Sequence, residues 1–454
     1  MIETEVLVVG GGPAGVIAAM TAANADRQVI LVDSKPHEEI GNKVCGDALD
    51  IEPIKFLREK LGIEFPHGNE VSDIVKTLLI QARDMGFPIE GEKLGYVVNR
   101  HNYGQRLLLA AEKAGVEVKD RIWVKNPLVK GASVLGVKFK DLKNNSLGEI
   151  KAKVTIDCSG YKCTVRKNLP HDKFPLLEPG MRNEDVMVSY REIVDLKDGS
   201  ENHDYANTIA LIYKDDIPIP GYFWVFSEGD YRLNLGICYY REMKISESTR
   251  NLYQRILERD YYTSDQFTID HAQGYQIPVR YPLLNAVANG FLTAGDAAHH
   301  VDPFTAEGHG PALIAGYYAG MTAADAIETR NTSQDRLWSY NKAVMDHFGS
   351  QQCKTQVFTN ALCQIGVSGL EFMFKRQVIS KDALLELNEG KGPSRKDIIR
   401  LLVRLFPKYN ILRELGRVAH TTSKLKPIID NYPSRPDQFL SWSKQFMAVM
   451  DNAG

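Results

Sequence analysis

The chain opens on an apolar run, EVLVV, broken by GGGPAG and followed by the alanine-rich VIAAMTAA. The apolar run predicts a strand, the glycines a tight turn, and the stretch after them a helix. QVILVD predicts a second strand of the same kind. Further along the pattern changes. VMVSYREIVDL, TIALIY and RLNLGICYY alternate like half-buried strands of an antiparallel sheet. GYFWVF is apolar almost throughout. As a strand it sends Tyr222, Trp224 and Phe226 to one face and Phe223 and Val225 to the other. From about residue 331 the period becomes helical, in QDRLWSYNKAVMDHFG, SRKDIIRLLVRLF and YNILRELGRVAHTT. The pattern predicts an α/β protein with a second, antiparallel sheet and a helical C-terminal region.

Composition adds limits. The 454 residues are 44% hydrophobic and 25% charged, which suits a large core and two or three domains. A net charge of -2 gives no global reason to expect nucleic acid. Cys45, Cys158, Cys163, Cys238, Cys353 and Cys363 form no C-x-x-C pair, so neither a metal site nor a secreted disulfide framework is expected; a single disulfide stays open. The N-terminus lacks a basic leader and reads as structure. The apolar run from Val357 to Phe374 contains Thr359, Asn360, Gln364 and Glu371 and is too polar for a spanning helix. A cytoplasmic location is expected, with peripheral contact at a membrane surface left open. The stretch from Lys391 to Lys426 is basic with apolar residues at amphipathic spacing. It reads either as a solvated helix face or as a dock for anionic lipid or a substrate phosphate.

Candidate chemistry begins with Gly10, Gly12 and Gly15, which match G-x-G-x-x-G between the first strand and helix. Gly10 permits the turn, Gly12 lets the backbone approach a pyrophosphate, and Gly15 lets helix and strand pack closely. Asp33, closing the second strand, is the expected partner of a ribose hydroxyl. The cradle alone does not separate NAD from FAD. Far downstream, GFLTAGDAAHHVDPFTAEGHGPALIAGYYAG reads as a strand, a break at Asp296 and a helix of small residues. Asp296 could bind a polyol hydroxyl there, and the helix start could face a negatively charged ring.

These segments resemble the FAD-dependent hydroxylase and reductase group, of the p-hydroxybenzoate hydroxylase type, with a glutathione-reductase-like Rossmann fold. VVNRHNYGQRLLLAAEKAGVEV looks like the group's cofactor-contacting Arg segment, with Arg100 as the Arg. IDCSGYKCTVRKNL departs from the group's pattern at Ser159 and Cys163, so no contact is carried onto it. Two further stretches narrow the choice. Lys43-Val44-Cys45-Gly46 resembles the K/R-x-C-G segment of the geranylgeranyl reductase family. Tyr222, Trp224, Phe226 and Gly236 match its Y-x-W-x-F-P strand and following glycine pair, with Ser227 in place of the Pro and Asn234 in place of the first Gly. The archaeal, digeranylgeranylglycerophospholipid-reducing branch is favoured, because no photosynthetic transit peptide is evident.

The resemblance implies FAD as cofactor, with contacts at Gly10, Gly12, Ala14, Gly15, Asp33, Ser34, Cys45, Gly46, Asp47, Arg100, Val124, Asp296, Gly308 and His309. It implies an FAD-dependent oxidoreductase acting on CH–CH groups, with a prenyl-lipid substrate lined by Tyr222, Trp224, Phe226 and Gly236. Cys45 is the candidate proton donor; Asp47 and the pair His299-His300 are secondary candidates. Either NAD(P)H or ferredoxin could supply electrons, and the oligomeric state is undetermined. Residues 1–65, 95–165 and 275–330 are expected to form a discontinuous FAD-binding domain, 66–94 and 166–274 the substrate domain, and 331–454 the helical region. A flavin monooxygenase or epoxidase acting on an apolar substrate, and a non-catalytic prenyl-binding escort, are the competing readings.

Overall fold

The computed structural model describes residues 2–197, 204–243, 245–378, 404–405 and 407–451. Its first sheet is built around the strand Ile2–Val9. Val29–Val32 and Leu147–Asp157 pair with it in parallel on either side, with Glu117–Lys119 and Phe291–Thr293 beyond them. All four residues of VILV are buried, as expected of a parallel strand covered on both faces. An antiparallel meander, Ile122–Lys130 and Ser133–Asp141, continues from Leu147–Asp157.

The helix Pro13–Asn24 covers this sheet and lies against the helix His309–Glu328. Small residues set that contact. A Cβ on Gly316 would come within 3.1 Å of the Ala14 Cα, and one on Gly320 within 3.2 Å of the Ala18 carbonyl carbon, with the carbonyl oxygens nearer still. The stripe of alanine and glycine in the downstream segment is thus a close helix crossing.

The second sheet has eight strands. Their order is Phe267–Pro278, Val186–Leu196, Arg232–Tyr240, Tyr222–Ser227, Thr208–Tyr213, Val71–Ala82, Met85–Val98 and Ala48–Asp50. Neighbours run antiparallel except Thr208–Tyr213 and Val71–Ala82, which are parallel. The antiparallel sheet expected from the pattern therefore carries one parallel pair. Met85–Val98 runs across residues 94 and 95, and Ala48–Asp50 joins the sheet from the N-terminal segment.

Phe223, Val225, Leu235 and Ile237 pack one face of this sheet under the helix Thr249–Asp260. Tyr222, Trp224 and Phe226 face the other way. They share a core with Leu362, Ile365, Met373 and Phe374 of the helix Ser350–Lys375. Gly366, at φ 72°, interrupts that helix. The helical run Gln334–Lys375 is long and apolar enough, by length and composition, to cross a membrane; 56% of its most apolar window is buried inside the protein.

The C-terminal helices Tyr409–Asp430 and Phe439–Met450 close the fold on an aromatic core of Trp338, Tyr432, Phe439, Trp442 and Phe446. Residues 391–403 of the basic stretch lie outside the described residues, as does most of SRKDIIRLLVRLF. Within Tyr409–Asp430, Arg413 and Arg417 pair with the buried Glu414. All six cysteines are free.

Candidate functional site

The glycine loop has the shape its sequence requires. Gly10 sits at φ 103°, a conformation that strains any residue with a Cβ. A Cβ on Gly15 would lie 3.0 Å from the Gly10 carbonyl carbon and closer to its oxygen. Around Gly12 there is nothing within 4 Å of an added Cβ. Gly12 also caps the helix Pro13–Asn24 with no side-chain hydrogen bond, so first-turn N–H groups are left for a phosphate. Ala14 is buried, against Gly295 and Gly316. Asp33 holds the loop: its carboxylate accepts the Gly11 N–H at 2.7 Å and the Lys35 N–H at 2.8 Å. Ser34 beside it is exposed.

A cleft beside this loop is lined by Gly11, Gly12, Pro13, Gly41, Arg100 and His309. Arg100 opens a helix capped by Asn99, whose side chain accepts the Asn102 N–H at 3.0 Å. Gly308 caps the helix His309–Glu328 without a side-chain bond. His309 is buried, and its Nδ1 has no partner among the described residues. Burial, then the Arg100 and Lys43 charges, hold it well below the usual histidine range, so it is neutral. Glu307 Oε1 accepts the Gly310 N–H at 2.6 Å, so of the two helix starts only that of Pro13–Asn24 is uncapped. A glycine cradle without Cβ atoms, that helix start and an orphaned ring nitrogen all fit a dinucleotide.

Arg100 links this cleft to the cysteine loop. Its Nη1 donates to the Cys45 Sγ at 3.3 Å, and the Asp47 N–H donates to the same sulfur at 3.3 Å. Cys45 is half-buried. Lys43 forms an ion pair with Asp296 at 2.7 Å. Burial opposes the charge on Lys43, and Asp296 together with Tyr275 more than offsets that, so its pKa is raised. Asp296 lies in the turn Gly295–Ala298, where the Gly295 N–H donates to His300 Nδ1 at 3.1 Å. His299 is fully buried, with neither ring nitrogen partnered among the described residues.

The aromatic strand reaches the same loop. The Phe226 ring lies on Gly46, where an added Cβ would meet its Cδ2 at 2.9 Å. Trp224 lies over Gly236 in the same way, with Cη2 at 2.5 Å. Tyr222 donates its hydroxyl to the Thr305 carbonyl at 2.6 Å. Tyr222, Trp224, Phe226 and Gly236 are therefore brought to one face, against Gly46, while Phe223 and Val225 are core on the other. Val124 stands apart. It is buried in the apolar cluster with Leu7, Val9 and Ile30, so only its backbone is available to a ligand.

Sequence reasoning missed two residues of the site. Arg191 is buried, donates to Asp47 Oδ2 at 2.5 Å and also bonds the Cys45 carbonyl. Asn234 is fully buried; its amide donates to Asp47 Oδ2 at 2.9 Å and to the Cys45 carbonyl at 3.1 Å. Asp47, at φ 69°, is buried, and burial raises its pKa against the pull of Arg191 and Arg100. One signal for Arg191 was available: it shares a strand face with Met187 and Ser189, both buried. The departing segment has a structural explanation. Asp157 accepts the N–H groups of Ser159, Val165 and Arg166, and Arg166 reaches the Ala297 carbonyl at 3.2 Å.

Comparisons with known proteins bear on the fold and the family it is similar to. The family model described as FAD dependent oxidoreductase matches residues 5–161. A digeranylgeranylglycerophospholipid reductase of Sulfolobus acidocaldarius is 29% identical over 99% of this chain and 98% of its own. A geranylgeranyl bacteriochlorophyll reductase-like structure from Thermoplasma acidophilum superposes with a TM-score of 0.75 at 21% identity, covering 92% of this chain and all of that one. A flavin-dependent brominase shares the fold, with a TM-score of 0.66 at 15% identity over 85% of this chain and 92% of its own. Over residues 5–161 the chain matches the FAD dependent oxidoreductase model, it has the mixed α/β fold of such flavoproteins, and it is similar over nearly its whole length to a digeranylgeranylglycerophospholipid reductase.

Proposed function

We propose that the protein saturates isolated double bonds of geranylgeranyl chains in membrane-lipid precursors. The observation that carries this reading is the juxtaposition of Cys45, held by Arg100 beside the dinucleotide cleft, with the face of Tyr222, Trp224 and Phe226 seated on Gly46. Bound reduced FAD would supply a hydride. An isolated trisubstituted alkene is no electrophile, so a proton must arrive at one carbon as hydride reaches the other, with cationic character at the more substituted position. The Cys45 thiol is suited to give that proton. The sulfur left negative would face the Arg100 guanidinium, whose N–H already points at it. The aromatic rings would favour the developing positive charge by about 0.5–2 kcal/mol each in a dry site. The reading also implies contact with a membrane surface, from which such a lipid must be taken, and an external electron donor, NAD(P)H or ferredoxin.

The test is anaerobic. The holoprotein is reduced, given geranylgeranyl diphosphate or a digeranylgeranyl lipid, and the products are weighed. The expected result is stepwise gain of two hydrogens per double bond. Cys45→Ala should keep the yellow cofactor and lose most of this turnover. Oxygen uptake with NADPH in air, without any hydrogen gain under anaerobic conditions, would replace the reading with a monooxygenase.

A further inference from the structure

Asn234 stands where the resembled motif has glycine, and its side chain is fully spent. Its Oδ1 accepts the Trp224 indole N–H at 3.0 Å, while its Nδ2 donates to the Cys45 carbonyl at 3.1 Å and to Asp47 Oδ2 at 2.9 Å. The orientation of the amide follows from its partners. An indole N–H only donates, and a carbonyl and a carboxylate only accept. Asn234 lies opposite Phe226 in the sheet, on the face that carries Trp224 and Gly236, and it has no exposed surface. No other side chain makes the same three bonds. Aspartate could accept from Trp224 but could not donate to Cys45 and Asp47, and glutamine is one methylene too long.

We propose that Asn234 is a positioning residue that ties the indole of Trp224 to the Cys45–Asp47 loop, so that the aromatic wall and the proton donor are placed as one unit. This rests on the reaction proposed above. Proton delivery is steep in distance; a misplacement of about 1 Å can cost on the order of a hundredfold in rate. Trp224 and Cys45 belong to different segments, and Asn234 bonds both. Arg191 makes a second, independent attachment to the same loop, so the loop stays docked when Asn234 is shortened. The loss in rate on removing Asn234 should therefore reflect alignment, with the loop still docked.

The experiment is a double-mutant cycle on the FAD-loaded protein, with Asn234→Ala, Trp224→Phe and the pair. The readouts are single-turnover reoxidation of reduced flavin by geranylgeranyl diphosphate, KM, flavin content and the rate of Cys45 alkylation by iodoacetamide in a Cys363→Ser background. Asn234→Ala should keep its flavin, slow reoxidation about tenfold or more and leave KM within about twofold. The double variant should be no slower than the slower single variant, because the Trp224–Asn234 bond is already lost in either one. Cys45 should alkylate faster in both single variants. Wild-type reoxidation in Asn234→Ala, losses that multiply in the double variant, or unchanged alkylation would overturn the proposal. A wild-type protein that adds no hydrogen to any prenyl chain would refute the reaction but not the tie, which the alkylation rates then decide.

Discussion

Gly236→Ala tests how firmly the aromatic wall is held. The new Cβ would lie 2.5 Å from the Trp224 Cη2, with two more indole carbons nearer still. Carbon atoms prefer about 3.5–4.0 Å, so ring or backbone must move by about 1 Å or more. The backbone has little freedom: Gly236 is in register with Trp224 on one side and Arg191 on the other. The ring is buried between Tyr222 and Phe226, and its N–H is held by Asn234. Overpacking a fitted core costs about 1–3 kcal/mol, and a buried donor left unpaired costs about 1–3 kcal/mol more, so the variant should lose about 2–6 kcal/mol. Urea denaturation of the holoprotein, followed by flavin and tryptophan fluorescence, measures the loss. Prenyl turnover should fall while flavin content at low urea stays normal, because Gly236 lies away from the glycine loop. Adding Trp224→Phe removes the indole carbons that clash and should restore part of the stability. If Gly236→Ala unfolds like the wild type and Trp224→Phe restores nothing, the wall is not packed as described and the magnitude argument fails.

Two other perturbations probe the cofactor half. Gly15→Ala drives a Cβ into the Gly10 carbonyl, and the variant should purify without colour; a normal flavin spectrum would contradict the close packing of that turn. His300 accepts the Gly295 N–H and is pushed down from an ordinary 6.5 to about 3, chiefly by burial. Because its folded pKa is depressed, the unfolded chain takes up the proton first as pH falls. Its contribution to stability is then complete above pH 6.5 and is lost as the pH drops towards 3. His300→Asn should flatten the acid side of the melting-temperature profile in that window, and an unchanged profile would show that the ring is not held neutral.

What the sequence revealed depended on how local each requirement was. The glycine cradle was legible because the demand at Gly10 and Gly15 is met within a few residues. The two faces of GYFWVF were legible for the same reason, since strand alternation needs no partner to be known. What covers the aromatic face was not. The helix Ser350–Lys375 does so with Leu362, Ile365 and Met373, but its sequence is mixed, with a glycine at φ 72° in its midst. The polar ties to the cysteine loop were hidden by distance along the chain. Arg191 bonds Cys45 across 146 residues and Asn234 does so across 189.

The same distance hid a relation between two motifs that were each recognised. Lys43 came from the cysteine segment and Asp296 from the downstream strand end, 253 residues apart, and they are one ion pair. Asp296 is buried while Lys43 is partly exposed, so the acid depends on the cation more than the cation on the acid. Removing one partner of a buried pair typically costs about 3–5 kcal/mol, because the remaining charge is left uncompensated. The buried acid at the far strand end therefore demands a cation in the loop. Taken together, the two motifs place the cysteine loop against the downstream strand end, which neither motif does alone.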